Sequence, residues 1–219
     1  MTRTQAVARI LEEIGFRAAG SSLDTTIISR LQEAQRELES GKTLPLFLLQ
    51  ENQTLSLVLG AHTVALPSGF IREEPDNLIH YFPTNSDVPI WLERRLYIDA
   101  EMAQITNDDE TAQAPQVYVI LKDTIDFITN ADANYTLYWS YYKRAATLTT
   151  DIENEWLGNL QGGAEWLIGE AGYRLAKSLR DQSAIQSFDD MRKTGRAALL
   201  GEIIAREESG GPYAMGMNA

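Results

Sequence analysis

The stretch Thr54–Leu66, TLSLVLGAHTVAL, marks the point at which the chain changes from a helical periodicity to a strand periodicity. Apolar and polar residues alternate through its first half, and a second alternating run, Thr63–Leu66, follows Gly60. Alternation with a period of two is the pattern of a half-buried strand, and a glycine between two such runs is typical of a tight turn. The stretch therefore predicts two strands joined as a β-hairpin.

Two amphipathic helices precede this stretch. Apolar residues recur three or four positions apart from Thr4 to Ile14, with Thr4 as the expected N-cap and Gly15 as the expected stop. The same spacing returns after Asp24, which is well suited to cap a second helix that ends at Gly41. The chain is thus expected to open with a helix, a turn and a helix.

Further strand candidates follow the predicted hairpin. They are rich in β-branched and aromatic residues and are separated by Pro, Asn and Asp clusters. These candidates are Leu78–Phe82, Ile90–Arg94, Val117–Leu121, Thr124–Ile128 and Tyr135–Tyr142. A short helix at about 98–105 and an acidic loop at 107–110 are expected to interrupt them. The aromatic side chains of the last candidate favour a strand core or a subunit contact over stacking on nucleic-acid bases, because few cations lie nearby.

The helical period returns from Asp151 onward. The pair Gly162–Gly163 is expected to bend or break this segment, and a last helix is predicted from about Ala184 to Arg206. The final residues, 209–219, show no period and contain several glycines, so they are expected to form a flexible tail when the chain is free.

These patterns predict an α+β protein with a helical body and an inserted antiparallel β module. Residues 1–50 form two N-terminal helices, residues 51–145 form the β module, and residues 146–208 supply two long helices that complete the body. Residues 209–219 form an extended tail. Within this tail Tyr213, Met215 and Met217 occupy every second position, as apolar anchors of an extended segment would.

The charge of the chain argues against a role that depends on binding phosphate groups. Its 31 Asp and Glu residues outnumber its 19 Lys and Arg residues, which gives a formal net charge of −12. Nucleic-acid affinity depends largely on Lys and Arg displacing counterions, so we expect DNA to be repelled. No signal peptide or membrane-spanning run is evident, and the protein is expected to be made in the cytoplasm.

The residue inventory also predicts that the protein is not an enzyme and carries no cofactor or metal. The absence of cysteine excludes thiolate metal sites and cysteine nucleophiles. The two histidines, His62 and His80, do not lie at ligand spacing from a carboxylate, and we expect both on the surface or on a sheet face. Phosphate-binding and hydrolase motifs are missing from the sequence.

Two groups of carboxylates nevertheless leave an alternative open. Glu155, Glu165 and Glu170 lie near two tryptophans and are the least implausible source of the acid and base pair of a peptidoglycan-cleaving enzyme. A solvated helix face is the favoured interpretation. The run Asp108–Glu110 lacks the ligand spacing of a calcium loop and is expected to be a solvated loop.

The order of these signals resembles the head-to-tail adaptor, or connector, family of podovirus-like and related tailed bacteriophages. The resemblance covers nearly the whole chain. It is carried by the paired N-terminal helices, the Thr63–Phe70 segment, the Tyr135–Lys143 strand, the Leu148–Thr150 segment and the Asn154–Leu157 start of a long helix.

The resemblance implies a structural virion protein of the head–tail neck. Such a protein forms a dodecameric ring beneath the portal, extends the DNA channel and offers a platform for tail, nozzle or fibre proteins. Genomic DNA would pass through without specific binding. The C-terminal segment, with Tyr213, Met215 and Met217, would bind the portal, and another tail or collar protein is the remaining structural alternative.

Overall fold

The computed structural model describes residues 1–15, 23–75, 77–84, 86–96, 112–149, 151, 154–160 and 162–208. The chain divides into two compact units. We call Met1–Leu48 together with Arg144–Ala219 the helical unit, and Leu49–Lys143 the β unit. The predicted helix at 98–105, the acidic loop at 107–110 and the C-terminal tail lie outside the described residues.

The first helix of the helical unit, α1, spans Arg3–Glu13. Its N-cap is Thr2, whose hydroxyl accepts a hydrogen bond from the Gln5 amide at 3.2 Å, while the Gln5 side chain accepts one from the Thr2 amide at 2.9 Å. The prediction that Thr4 caps this helix was wrong, because only Thr2 has a glutamine three residues later to complete the reciprocal pair. Gly15 follows the helix with φ 78°.

The second helix, α2, spans Asp24–Glu39 and buries Ile27, Leu31 and Ala34 on one face. Asp24 is its first helical residue and not its cap. A short 3₁₀ turn, Leu46–Leu48, precedes the β unit.

The chain returns to the helical unit with a short helix, α3, at Glu155–Gly158. The Asn154 side chain caps it by accepting hydrogen bonds from the Trp156 and Leu157 amides. Helix α4 spans Gly163–Leu179, and Gly162 before it adopts φ 153°. The predicted break at the glycine pair therefore separates α3 from α4.

The last helix, α5, spans Gln182–Glu208 and packs tightly against α4. A Cβ atom built on Gly169 would lie 2.6 Å from the Arg192 backbone nitrogen, and one on Gly195 would lie 2.5 Å from the Trp166 backbone nitrogen. Only glycine allows the two backbones to approach so closely.

The β unit contains two sheets. The first has the order β1 (Leu49–Leu57), β9 (Tyr135–Lys143), β4 (His80–Tyr81) and β5 (Ile90–Trp91), with β3 (Phe70–Glu73) also paired to β9. The second has the order β2 (Thr63–Ala65), β8 (Thr124–Phe127), β7 (Val117–Ile120) and β6 (Glu93–Arg94). The pairs are antiparallel except β6 with β7, which is parallel.

The predicted hairpin between β1 and β2 was wrong, because the two strands belong to different sheets. β1 pairs with β9, and β2 pairs with β8. The chain crosses from one sheet to the other at the turn between β1 and β2. In this turn the Gly60 amide donates a hydrogen bond to the Ala131 carbonyl at 2.8 Å. The crossing lets Leu57 and Val64 contribute to one shared core from opposite sides.

That core lies between the two sheets. Its largest fully buried side chains include Trp139, Tyr118 and Phe127. β9 supplies Leu137, Trp139 and Tyr141 to it from alternate positions, as a period of two requires. The α+β fold class predicted from the sequence is confirmed.

Candidate interaction surfaces

The outer face of the first sheet of the β unit carries an aromatic cluster. Its members share one face because His80 is opposite Trp91 on β5 and opposite Tyr138 on β9. The His80 ring lies 4.2 Å from Trp91 and 5.6 Å from Tyr138, centroid to centroid. Phe82 packs edge-on against Tyr138 at 5.5 Å. We call His80, Phe82, Trp91 and Tyr138 the aromatic surface.

The aromatic surface combines exposure with rigidity. Trp91 is 42% exposed and Phe82 is 43% exposed, although each contacts other rings. Burial lowers the pKa of His80, so its ring is neutral at physiological pH and adds no charge to the cluster. Exposed, preorganised aromatic side chains without charge are the composition of a protein-binding hot spot.

A buried carboxylate holds the two sheets together at one edge. Glu73 on β3 is 6% exposed and accepts a hydrogen bond from the Tyr118 hydroxyl at 2.9 Å. It also forms an ion pair with Arg94 on β6. Burial raises the pKa of Glu73, while the bond from Tyr118 and the charge of Arg94 act in the opposite direction. Burial likewise raises the pKa of Tyr118. This contact stabilises the scaffold of the aromatic surface.

A second buried carboxylate organises the helical unit. Glu39, at the end of α2, is 4% exposed. One of its oxygens accepts hydrogen bonds from Gln35 Nε2 at 2.9 Å, the Ala145 amide at 3.1 Å and Trp156 Nε1 at 3.1 Å. The bonds join α2 to the returning chain and to α3. All the groups are satisfied, so the arrangement is structural.

Two of the three carboxylates that suggested a hydrolase have other partners. Glu155 is exposed and accepts a hydrogen bond from the Ala146 amide at 2.8 Å. Glu170 on α4 pairs with Arg174 at 3.0 Å and with Arg192 at 3.1 Å. Glu165 lies half-buried in the first turn of α4. The ion pairs of Glu170 stabilise α4 and join it to α5, and the hydrogen bond of Glu155 joins α3 to the chain at Ala146.

The two histidines lie in different surroundings. His62 is exposed next to β2, and His80 is part of the aromatic surface. Within the described ranges, no set of three or more His, Asp or Glu side chains is arranged to hold a metal ion. In the same part of the chain, every helix is too short or too polar to cross a membrane.

The predicted portal-binding residues Tyr213, Met215 and Met217 lie outside the described residues. Conversely, sequence reasoning missed the aromatic surface, although the sequence carries a signal for it. In Leu78–Phe82 both alternating faces are apolar or aromatic, with Ile79 and Tyr81 on one and His80 and Phe82 on the other. A short strand with two such faces needs a partner on each.

Comparison with known proteins identifies the family of the chain. The model of the SU10 adaptor protein family matches residues 1–216, which is nearly the whole chain. No curated protein sequence matches it. Because the family match extends over both units, the chain belongs to the SU10 adaptor protein family, a family of bacteriophage structural adaptors and not a class of enzymes.

Proposed function

We propose that this protein is a head-to-tail adaptor that assembles as a dodecameric ring beneath the portal of a podovirus-like phage. The observation that carries the proposal is the family match over residues 1–216. A structural adaptor of a phage is a component of the virion. The ring extends the DNA channel and presents a platform for the tail.

The aromatic surface is the proposed contact with a tail, nozzle or fibre protein. Aromatic residues are enriched in the energetically important part of protein interfaces, because they bury a large area with little loss of side-chain entropy. Trp91 and Phe82 are already held by His80 and Tyr138. Their ordering therefore costs little when a partner binds.

The charge of the chain suits passage of a genome. Each copy carries a net charge of −12, so a ring of identical copies surrounds the channel with a strong negative potential. DNA that must slide through gains nothing by adhering to such a wall.

Electron microscopy of the protein mixed with purified portal tests the assembly. We expect twelve-fold rings seated on the portal, and a monomer or small oligomer in sedimentation of the free protein, because acidic subunits repel one another without a template. Hexameric or trimeric rings with no affinity for the portal would instead identify another tail or collar protein.

The portal contact is assigned to residues 209–219. Truncation after Glu208 should leave the folded helices intact while portal affinity falls at least about tenfold, roughly 1.4 kcal/mol. Replacement of Tyr213 with Ala should cause part of that loss, since a truncated aromatic anchor costs on the order of 2 kcal/mol. If the truncated protein bound the portal with unchanged affinity, the portal contact would instead be assigned to the surface of α5.

A further inference from the structure

The strand β1 lies at one edge of the first sheet of the β unit. In the order β1, β9, β4 and β5 it has a neighbour on one side only, and its whole ladder is made with β9. Among the described residues, no further backbone hydrogen bond joins β1 to another strand. Its second side therefore presents backbone N–H and C=O groups that no strand of the described chain uses.

Part of β1 lacks the features that usually protect an edge strand. Natural sheets protect their edges with proline, with lysine and other charged residues, with bulges or with very short strands. β1 spans nine residues, and a bulge interrupts its ladder between Gln50 and Gln53. The regular ladder after the bulge, Gln53–Leu57, contains neither proline nor a charged residue. We call Gln53–Leu57 the open edge.

The open edge is continuous with the aromatic surface. Thr54 on β1 is opposite Tyr138 on β9. On the other side of Tyr138, His80 and then Trp91 continue the same row across the sheet. Because adjacent strands lie about 4.8 Å apart, a strand added beside β1 would lie only about 10 Å from β9. One partner that covers roughly 800 Å², the area of a standard interface, reaches both features.

A second copy of this chain offers no edge that matches the open edge in a ring. A ring of identical subunits joins two different surfaces of the subunit. Among the described strands, β2, β3, β5 and β6 also pair on one side only, but each has four residues or fewer. Pairing of β1 with itself about a two-fold axis would close a dimer. The occupant is therefore expected to come from another protein.

We infer that an extended segment of the tail, nozzle or fibre protein that contacts the aromatic surface adds to the open edge as a sixth strand of this sheet. We call that protein the tail partner. The inference rests on the proposed function, because it specifies how the tail partner is held. An added strand binds through backbone hydrogen bonds, and its alternate side chains supply specificity. The tail partner thereby gains directional contacts beside the apolar contacts of the aromatic surface.

The open edge also restricts the chemistry of the added segment. Leu55 and Leu57 belong to the core side of β1, whereas Thr54 and Ser56 are exposed and uncharged. Residues of the added strand lie beside these side chains on the two faces of the sheet. The best fit is a segment that alternates apolar residues, next to the leucines, with small uncharged residues. Proline is excluded from it where an amide must donate to β1.

Hydrogen exchange of the backbone amides tests the added strand directly. Exchange is followed by mass spectrometry in the free protein, in the protein bound to portal, and in that complex after addition of tails purified from virions. Amides of the open edge should exchange at least about tenfold more slowly once tails are added, because new hydrogen bonds protect them. Thr63–Ala65, an edge strand of the second sheet, is the matched control and should keep its rate.

The same measurement can overturn the inference. Unchanged exchange of the open edge in the presence of bound tails would show that the tail partner contacts side chains alone. Protection that is already complete in the portal complex would assign the edge to the portal or to a second copy. Twelve-fold rings that bind tails while the open edge stays unprotected would reject the added strand and leave the proposed function standing. Absence of tail binding by the unaltered protein would reject both.

Two proline variants give a second measurement. Gln53 and Thr54 are both exposed, and adjacent residues of a strand direct their amides to opposite sides. One of Gln53→Pro and Thr54→Pro therefore removes an amide that bonds to β9, and the other removes an amide of the open edge. We expect the first to lower the urea midpoint of unfolding, and the second to keep the midpoint while tail binding falls at least about tenfold.

Full tail binding by the variant that keeps its midpoint would contradict the inference. If both variants unfold at lower urea concentration than the unaltered chain, the hydrogen-exchange comparison decides by itself, since it uses the natural sequence.

Discussion

Replacement of Glu39 tests whether the buried carboxylate network holds the helical unit together. In Glu39→Ala the Trp156 indole N–H and the Ala145 amide lose their acceptor in a buried position, whereas Gln35 keeps the Ala145 carbonyl as an acceptor at 3.3 Å. Each buried donor left unpaired costs about 1–3 kcal/mol, so the loss of an acceptor for two donors should lower the free energy of unfolding by about 2–6 kcal/mol.

Urea denaturation followed by circular dichroism at the helical band measures this loss. The conservative variant Glu39→Gln keeps an acceptor oxygen and should lose only about 1–2 kcal/mol, because its hydrogen bonds are no longer charge-assisted. The matched control is Glu37→Ala, which removes a carboxylate that is 61% exposed and pairs with Arg174. This control should cost less than about 1 kcal/mol. A Glu39→Ala variant no less stable than the Glu37→Ala variant would refute the role assigned to the network.

Three further predictions concern the packing of the helices, the pH dependence of the β unit and the aromatic surface. In thermal melts, Gly169→Ala should lower the free energy of unfolding by about 1–3 kcal/mol, because its methyl group meets the backbone of α5. The control Gly201→Ala, whose methyl group meets no other atom, should not lower it. The raised pKa of Glu73 means that its contribution to stability is fully present below the unfolded pKa and is lost as pH rises through the folded pKa. Urea midpoints of the β unit should therefore fall as the pH rises above about 4.5, and Glu73→Gln should flatten that fall; an unchanged dependence on pH would exclude Glu73 as its source. Trp91→Ala should weaken pull-down of tail components at least about tenfold without unfolding the chain, whereas Val58→Ala, at another exposed apolar position, should not, and equal effects would argue against the aromatic surface as the contact.

The sequence predicted elements well where local periodicity determines them. The run Tyr135–Tyr142 became β9, Tyr135–Lys143, because alternate side chains enter a core on one face. The predicted last helix, Ala184–Arg206, is contained in α5. Membership of a phage adaptor family, expected from the resemblance, is confirmed by the family match. The podovirus-like type and the ring number stay predictions.

Strand pairing could not be predicted in the same way. Alternation in Thr54–Leu66 indicates strands but carries no information about the partner of each strand. Leu57 is opposite Tyr135, far along the chain, and that contact depends on how the two sheets share one core. β3, Phe70–Glu73, was missed for a related reason, because its four residues form a strand only beside the end of β9.

The buried polar groups were also invisible to the sequence patterns. Glutamates such as Glu39 and Glu73 are expected on the surface. Their burial depends on hydrogen-bond donors that the fold brings close, Trp156 to Glu39 and Tyr118 to Glu73. A carboxylate is rarely buried without such partners. Sequence reasoning has no means to anticipate donors that lie distant in the chain.

The ladder between β1 and β9 has an evolutionary consequence. Leu49, where the chain enters the β unit, is opposite Tyr142, one residue before the chain leaves it. Opposed residues of an antiparallel pair lie about 5 Å apart, so the inserted unit begins and ends at one place. An inserted unit whose ends are adjacent is readily exchanged without changes to the rest of the protein. Recombination between related phages can therefore replace residues 49–143 as a cassette while the helical unit is inherited unchanged.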